Sequence, residues 1–147
     1  MIALAKKAQP AAIAVLRQAT AFKPKRKKAS DGLLPSAAHQ KQNPNSDHNS
    51  GFAVDLSHDP VNGFDCAYVY EQLKHDSRVK YLIFKGRIWS QKNGDDVYTG
   101  SNQHNHHLHI SIKPDCGSDT SNWFAWMGEV PKVGVLNKVK PLPKKKP

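Results

Sequence analysis

The sequence predicts an α+β fold, a small and mostly antiparallel sheet with helices packed on one of its faces. Two segments carry hydrophobic residues at helical spacing, and two others alternate apolar and polar residues as half-buried strands do. A further apolar stretch is broken by Lys85-Gly86, which predicts a tight turn between two short strands. A chain of 147 residues suits one domain, which we place at residues 1–130.

The first predicted element is an amphipathic helix over residues 1–21. Its inward side chains are Ile13, Val15 and Leu16, and its outward ones are Lys6, Lys7 and Arg17. The apolar run is too short and too interrupted for a signal peptide, and no stretch approaches the ~20 apolar residues that span a bilayer. A second helix is predicted from about Phe64 onward. A short helix within residues 113–130 is expected to dock Trp123, Phe124 and Trp126 on the core.

Two segments, "FAVDLSH" at 52–58 and "HHLHISI" at 106–112, are predicted as half-buried strands. The stretch "VKYLIFKGRIWS" is predicted to form the two strands of a hairpin, and "QKNGDDVYTGSNQ" a loop. Cys66 and Cys116 are too few for a disulfide scaffold, so free or buried thiols are favoured, although a single bridge stays open.

The net charge of +10 favours polyanionic partners: nucleic acid, anionic lipid head groups or an acidic cell-wall polymer. A basic run follows the first helix, and the segment 131–147 is a basic, proline-rich tail predicted to be disordered. The basic run is expected to be a solvated linker; its cationic residues are Lys23, Lys25, Arg26, Lys27 and Lys28. A nucleic-acid-binding domain would rest on charge alone, because no recognised motif supports it, so we expect no nucleic-acid partner.

The stretch "HNHHLHISI" places four of the eight histidines within six residues. On a strand, His107, His109 and Ser111 share one face, while the mostly apolar opposite face should join the core. If this strand neighbours the strand at 52–58, Asp55 and His109 approach to about 5 Å between their Cβ atoms. Such a pair, on the face of the sheet away from the helices, can share a metal ion.

Gly51 breaks the earlier strand and allows the preceding loop to fold His48 back over Asp55. Two imidazoles and one carboxylate, with no cysteine near them in sequence, are typical of a catalytic zinc site that keeps a fourth position open. His107 can then act as general base or hydrogen-bond a developing oxyanion, and His104 is expected to support it. The other histidines are expected to be structural: His39, His58, His75 and the strand-end His106.

The stretch "SDHNSGFAVD" fits the pattern Ser-x-His-x-x-Gly-x-Ala-x-Asp at Ser46, His48, Gly51, Ala53 and Asp55. It resembles the D-Ala-D-Ala carboxypeptidase family of zinc metallopeptidases, which shares a fold group with lysostaphin-type peptidases and the Hedgehog signalling domain. The later His-x-His resembles the second motif of that group. The resemblance covers about residues 28–113, which also resemble small phage-encoded cell-wall lysis proteins.

The resemblance implies zinc ligands at His48, Asp55 and His109, catalytic roles for His107 and His104, and peptidoglycan as substrate. Carboxypeptidase branches carry a carboxylate three residues before the last ligand, where this chain has His106. Endopeptidase action on stem peptides or cross-links is therefore favoured. Whether the bond is L-Ala–D-Glu, D-Ala–diaminopimelate or D-Ala–D-Ala stays open.

These observations predict a zinc-dependent peptidoglycan peptidase of the phage endolysin kind, monomeric, held in the host cytoplasm without a signal peptide until it is released onto the wall. The basic segments could hold it on anionic envelope polymers. The alternative is a catalytically inactive, zinc-containing wall-binding module. Arg87, Trp89 and Tyr98 could line the substrate groove, but ordinary core or rim packing is the favoured interpretation for each.

Overall fold

The computed structural model describes residues 7–35, 45–100 and 102–131. It confirms the α+β class, with two α-helices and a five-stranded antiparallel sheet. The helices are α1 (Pro10–Phe22) and α2 (Cys66–Leu73). The strands are β1 (Ala53–Ser57), β2 (Val79–Phe84), β3 (Arg87–Ser90), β4 (Gly94–Val97) and β5 (His107–Ile112). The predicted tail at 131–147 lies outside the described residues from residue 132 onward.

The strands are ordered β1-β5-β2-β3-β4, so the first and last strands in sequence are neighbours. Helix α1 packs over β1 and α2 over β2, and both lie on the same face as the apolar side chains of the central strands. The fully buried members of that face include Val54, Leu56, Leu82, Leu108 and Ile110. Because side chains alternate along a strand, the opposite face is left for Asp55, His109 and their cross-strand partners.

Helix α1 begins at Pro10 rather than near residue 1, since Lys7, Ala8 and Gln9 are not helical. Proline favours the first helical position, because its fixed φ suits the helix and its missing N–H would have no partner there. The buried side chains also differ from those predicted, because Ile13 and Leu16 are only half-buried. The buried set is Ala11, Ala12, Val15, Gln18, Ala19 and Ala21.

Helix α1 is joined by hydrogen bonds to the segment at residues 120–123. The Gln18 amide donates to the carbonyls of Thr120 (3.2 Å) and Ser121 (3.0 Å), and its oxygen accepts from the N–H of Trp123 at 2.8 Å. Trp123 and Phe124 are buried, as predicted. The helix expected between 113 and 130 is instead two 3-10 turns, Pro114–Cys116 and Ala125–Met127.

Arg26 contradicts the prediction of a solvated basic linker. Its side chain is fully buried, and its two Nη atoms donate to the two carboxylate oxygens of Asp31 at 2.9 and 2.8 Å. The guanidinium also lies 5.3 Å from the ring centroid of Phe64. Arg26 is therefore part of the packed structure, while Lys25 and Lys27 on either side of it are exposed.

Strand β4 was predicted as loop, because its sequence Gly-Asp-Asp-Val has little β propensity. Pairing with β3 forms it, with Trp89 opposite Asp95 and Ile88 opposite Asp96. Cys66 and Cys116 are both free thiols, which agrees with the favoured interpretation. Among the described residues, no helix is long and apolar enough to cross a bilayer.

Candidate metal centre

The strands that carry Asp55 and His109 are neighbours in the sheet, as the expected approach of these two residues requires. Asp55 on β1 lies directly opposite His109 on β5, and Ala53 lies opposite Ser111. Nδ1 of His109 is 3.2 Å from Oδ1 of Asp55. Both side chains leave the sheet on the face away from the helices, so the strand register alone brings an imidazole and a carboxylate together.

His48 reaches the same carboxylate from a 3-10 turn at Asp47–Ser50. Ser46 caps the turn by accepting a hydrogen bond from the N–H of His48 at 3.2 Å, and Gly51 ends it with φ of 83°. The carbonyl of Gly51 accepts from the N–H of Gln9 at 3.0 Å, which ties the turn to the start of α1. The motif serine and glycine therefore shape the loop that folds His48 over Asp55.

The hydrogen-bond partner of His48 indicates which of its two ring nitrogens faces Asp55. Nδ1 of His48 is 2.6 Å from the carbonyl oxygen of Leu33, which can only accept, so this nitrogen carries a hydrogen. The other ring nitrogen, Nε2, lies 3.1 Å from Oδ1 of Asp55. In the neutral tautomer, a lone pair of His48 thus faces a carboxylate oxygen, an arrangement that favours a cation between the two atoms.

The pKa shifts of His48 and Asp55 also favour a cation between the two side chains. Burial lowers the pKa of His48, but the hydrogen bond and charge of Asp55 outweigh it, so the pKa is raised. Burial raises the pKa of Asp55, but hydrogen bonds from His109 and His48 outweigh it and hold that pKa well below its usual range. The carboxylate is thus ionised at neutral pH.

The three ligand atoms of His48, Asp55 and His109 all lie within 4.8 Å of one another, and the cluster could hold a metal ion. The donor set fits a cation, because the outer hydrogen bond of His48 leaves a nitrogen lone pair directed at Asp55. An ion there would take the place of the proton that His48 otherwise shares with the carboxylate.

Two more imidazoles border this cluster. Nε2 of His107 lies 3.6 Å from Oδ2 of Asp55, and the ring of His104 lies 4.9 Å from that of His107 and 5.5 Å from that of His109. Burial, followed by the charges of His109 and His107, lowers the pKa of His104 to about 4. Burial also lowers the pKa of His107, although Asp55 opposes the shift. Both rings are thus neutral near pH 7.

The other histidines lie apart from the cluster where the structure describes them. His106 is exposed at a bend just before β5, and His75 is exposed after α2. His58 accepts a hydrogen bond from the N–H of Cys66 at 3.0 Å and packs against Phe84. None of these three histidines borders the cluster, and His39 lies outside the described residues.

Of the three candidate groove residues, Tyr98 alone borders the cluster, with its ring 5.7 Å from that of His104. Trp89 pairs with Leu82 and packs against the core on the helix side, as the favoured interpretation has it. Arg87 pairs with Phe84 and Val97, which places it on the helix side as well.

Two residues at the cluster were missed by the sequence reasoning. The Tyr81 ring stacks on His109, with centroids 5.3 Å apart and planes 16° from parallel, and Leu33 supplies the carbonyl that orients His48. Alternation along β2 would have put Tyr81 on this face had its pairing with β5 been known. Leu33 left no signal, because a backbone carbonyl in a loop has none.

Compared with known proteins, the chain matches no family model, no curated protein and no solved structure. The proposed function therefore depends on the chain's own residues and on its two motifs.

Proposed function

We propose that this protein is a zinc-dependent peptidoglycan peptidase that cleaves amide bonds of stem peptides or cross-links. The observation that carries the proposal is the convergence of His48, Asp55 and His109 within 4.8 Å, with two neutral imidazoles beside them. A site that only stabilised the fold would need no such neighbours. Their presence favours chemistry on a bound substrate.

Zinc is the proposed ion, because two imidazole nitrogens and one carboxylate oxygen form a donor set typical of catalytic zinc. Structural zinc sites usually take four ligands that include cysteines, and both cysteines lie elsewhere, Cys66 buried at the first residue of α2 and Cys116 in a 3-10 turn. When bound, the ion supplies Lewis-acid chemistry, lowering the pKa of a coordinated water and polarising a carbonyl oxygen.

His107 is the proposed general base. A base must be unprotonated to accept a proton, and burial lowers the pKa of His107 so that it is neutral near pH 7. Its side chain retains some exposure, 17%, so that it can reach a substrate. The position three residues before His109, where the carboxypeptidases carry a carboxylate, is occupied here by the exposed His106.

His104 is the proposed hydrogen-bonding partner of the substrate or of the developing oxyanion. Its Nδ1 is buried and has no hydrogen-bond partner within the described part of the chain. A buried polar atom without a partner is costly, so such an atom beside a site is suited to a ligand that completes its hydrogen bonding. A neutral imidazole can either donate or accept there.

A row of paired residues extends from the cluster across the sheet. Cross-strand pairing sets His109, Ile83, Ile88 and Asp96 in one row across four strands, all on the face that carries the site. Ile83 is buried, with 5% of the residue exposed, whereas Ile88 is half-buried and Asp96 is exposed. Only the outer end of the row, Ile88 and Asp96, is open to contact with a peptide.

Basic residues support an anionic, polymeric substrate. Lys25, Lys27 and Lys28 are exposed on the segment that follows α1. With a net charge of +10, they favour weak retention on acidic envelope polymers. By the resemblance to phage lysis proteins, we further propose that the protein acts as an endolysin, reaching the wall from the host cytoplasm.

The test is digestion of purified peptidoglycan sacculi with and without a chelator, followed by zinc add-back and mass spectrometry of the released fragments. The proposal expects fragments only when metal is present, and their masses identify the bond. The variants His107→Ala and His104→Ala should release far less, by about 10²-fold or more for the base. His106→Ala is the matched control, an exposed histidine of the same run that should keep wild-type activity.

The alternative function predicts a different result. A catalytically inactive wall-binding module would bind zinc and sediment with sacculi, yet release no fragment from any of several wall types. That outcome would refute the enzymatic proposal while leaving the metal site intact.

A further inference from the structure

We propose that Lys85 and Gly86, at the turn between β2 and β3, are positioning residues for His104: their backbone N–H groups hold the chain so that the His104 ring lies beside the metal cluster. Neither motif of the sequence contains Lys85 or Gly86. The inference rests on the proposed function, which gives His104 its catalytic role, but the placement of the ring can be measured without any activity.

His104 needs support from outside its own segment. It lies in the loop before β5, with its ring centroid 4.9 Å from that of His107 and 5.5 Å from that of His109. No hydrogen bond from the described residues reaches its buried Nδ1, so the ring is not fixed through that nitrogen. Its backbone has φ of 58°, which is uncommon for a residue with a Cβ. A conformation of this kind persists only where the surrounding structure enforces it.

The turn between β2 and β3 supplies that constraint. Phe84 pairs with Arg87, so Lys85 and Gly86 are the two central residues of a β-hairpin. Their φ values of 47° and 77° are both positive, as a type I′ turn requires. The ladder closes between Phe84 and Arg87, which leaves the N–H groups of the two central residues without a partner in the hairpin.

Those two N–H groups bind the chain at His104. The N–H of Lys85 donates to the carbonyl of His104 at 3.1 Å, and the N–H of Gly86 donates to the carbonyl of Gln103 at 2.9 Å. The carbonyl of Gly86 accepts from the N–H of Tyr98 at 2.8 Å. One turn thus holds the chain at residue 98 and again at residues 103 and 104.

These bonds also restrict the His104 side chain. The N–H of His104 donates to Oδ1 of Asn102 at 3.0 Å, so both of its backbone polar groups have partners. Which rotamers are open to a side chain depends on its φ and ψ, so a fixed backbone limits where the ring can lie. Tyr98, held by the same turn, adds an edge contact, with its ring centroid 5.7 Å from that of His104. Lys85 and Gly86 therefore act on the ring through the backbone.

The experiment compares Lys85→Val with Lys85→Asn on the full chain. Both replacements remove an exposed lysine whose ammonium lies 5.4 Å from the ring centroid of Phe84. Asparagine tolerates positive φ and a β-branched residue does not, so only Lys85→Val disturbs the turn. Nuclear Overhauser effects from the His104 ring to the rings of His107 and Tyr98 should be lost in Lys85→Val and kept in Lys85→Asn.

Digestion of sacculi gives the second readout. Lys85→Val should release fragments roughly 10–100-fold more slowly, because a displaced catalytic group loses much of its effect. In the His104→Ala background the same replacement should cost no more than about twofold, since the side chain that it positions is absent. A merely structural role would give the same loss in both backgrounds. Lys85→Asn should stay within about twofold of wild type.

Gly86→Ala is the second variant, for use if circular dichroism shows that Lys85→Val does not fold. The backbone there has φ of +77°, and the added Cβ would lie 2.6 Å from Oε1 of Gln103. This variant should weaken the same two ring contacts. Gly94→Ala is its control, with φ of +67° but open space around the added Cβ.

The outcomes separate this inference from the proposed function. Wild-type ring contacts and activity in Lys85→Val would overturn the inference and leave the proposed function standing. Equal losses in Lys85→Val and Lys85→Asn would also overturn it, because the lysine side chain and not the turn would be responsible. Equal activity losses with and without His104 would overturn it as general destabilisation.

Inactive wild type is a separate result. If it releases nothing from sacculi, the proposed function fails, and the ring contacts alone decide the inference. Their loss in Lys85→Val alone would support positioning by the turn, and their retention would refute it.

Discussion

Nε2 of His48 lies 3.1 Å from Oδ1 of Asp55, while the other nitrogen of the ring is committed to the Leu33 carbonyl. Without a metal, a proton on Nε2 must join the two atoms, which is why the pKa of His48 is raised despite its burial. Proton and metal therefore compete for one position. This competition makes the stability of the metal-free protein depend on pH in a defined way.

Asp55→Asn removes the charge from this position and should reduce zinc affinity by more than about 100-fold, since a ligand is lost.

In excess chelator, the wild type should be more stable than the variant in a limited pH window. Asp55 has a lowered pKa, so its contribution is present above its ordinary value of 3.8 and is lost as the pH falls further. The raised pKa of His48 gives a contribution that is full below 6.5 and is lost as the pH rises through the raised value.

Urea unfolding at pH 5.5 and pH 9 measures the effect. The difference in unfolding free energy between wild type and Asp55→Asn should be larger at pH 5.5. A difference that grows toward pH 9 would contradict the assigned direction of the His48 shift.

His104→Gln tests the neutral imidazole beside the site. Burial, helped by the charges of His109 and His107, lowers the folded-state pKa of His104 to about 4, below its ordinary value of 6.5. A histidine kept neutral by folding contributes fully above 6.5, and the contribution is lost as the pH falls from 6.5 toward about 4. Between pH 7.5 and pH 4.5, the metal-free wild type should lose more stability than His104→Gln.

Equal losses in the two proteins would mean that His104 is not shielded from protonation. His75→Gln serves as the control for the substitution itself, because His75 is exposed and its replacement should change stability by no more than about 0.5 kcal/mol.

Arg26→Met should destabilise the fold by about 3 kcal/mol, because it leaves Asp31 largely buried without its cationic partner. Lys25→Met removes the same charge from an exposed neighbour and should cost no more than about 0.5 kcal/mol. Urea denaturation of both variants gives the comparison. Comparable small losses would show that Arg26 is as replaceable as the linker lysines around it.

Gly51→Ala should damage both stability and metal binding. At φ of +83°, a Cβ would strain the backbone by about 1–2 kcal/mol and would lie 2.9 Å from the backbone nitrogen of Gln9. Relief of that contact moves the turn that carries His48. Gly94→Ala is the matched control, since it has φ of +67° but open space around the added Cβ.

Calorimetry should give a larger loss of stability for Gly51→Ala than for Gly94→Ala, and a weaker zinc affinity for Gly51→Ala alone. The same stability loss for both would indicate that the contact with Gln9 is relieved without cost.

The ligand cluster was predictable because few structural facts were needed. Strand alternation fixed the faces of Asp55 and His109, and a glycine between His48 and Asp55 allowed the loop to return. The fold class followed from periodicity in the same way. Both depend on local sequence patterns and on one assumption, that the two strands are neighbours.

The remaining features depend on tertiary contacts. Arg26 is buried because Asp31 and Phe64 come to it in the fold, and no property of the run "KPKRKK" distinguishes it from its neighbours. Strand β4 exists because β3 supplies its hydrogen bonds, against the preference of Gly-Asp-Asp for turns. Tyr81 reaches His109 only through the register of β2 on β5, which sequence alone does not set.

The hydrogen bonds between Gln18 and residues 120–123 have a consequence for synthesis of the protein. Gln18 and Trp123 are 105 residues apart, so α1 cannot complete its packing until the end of the fold has emerged from the ribosome. At 5–20 residues per second, that delay is about 5–20 s. During this interval α1 lacks the partners at residues 120–124 that cover it in the folded protein.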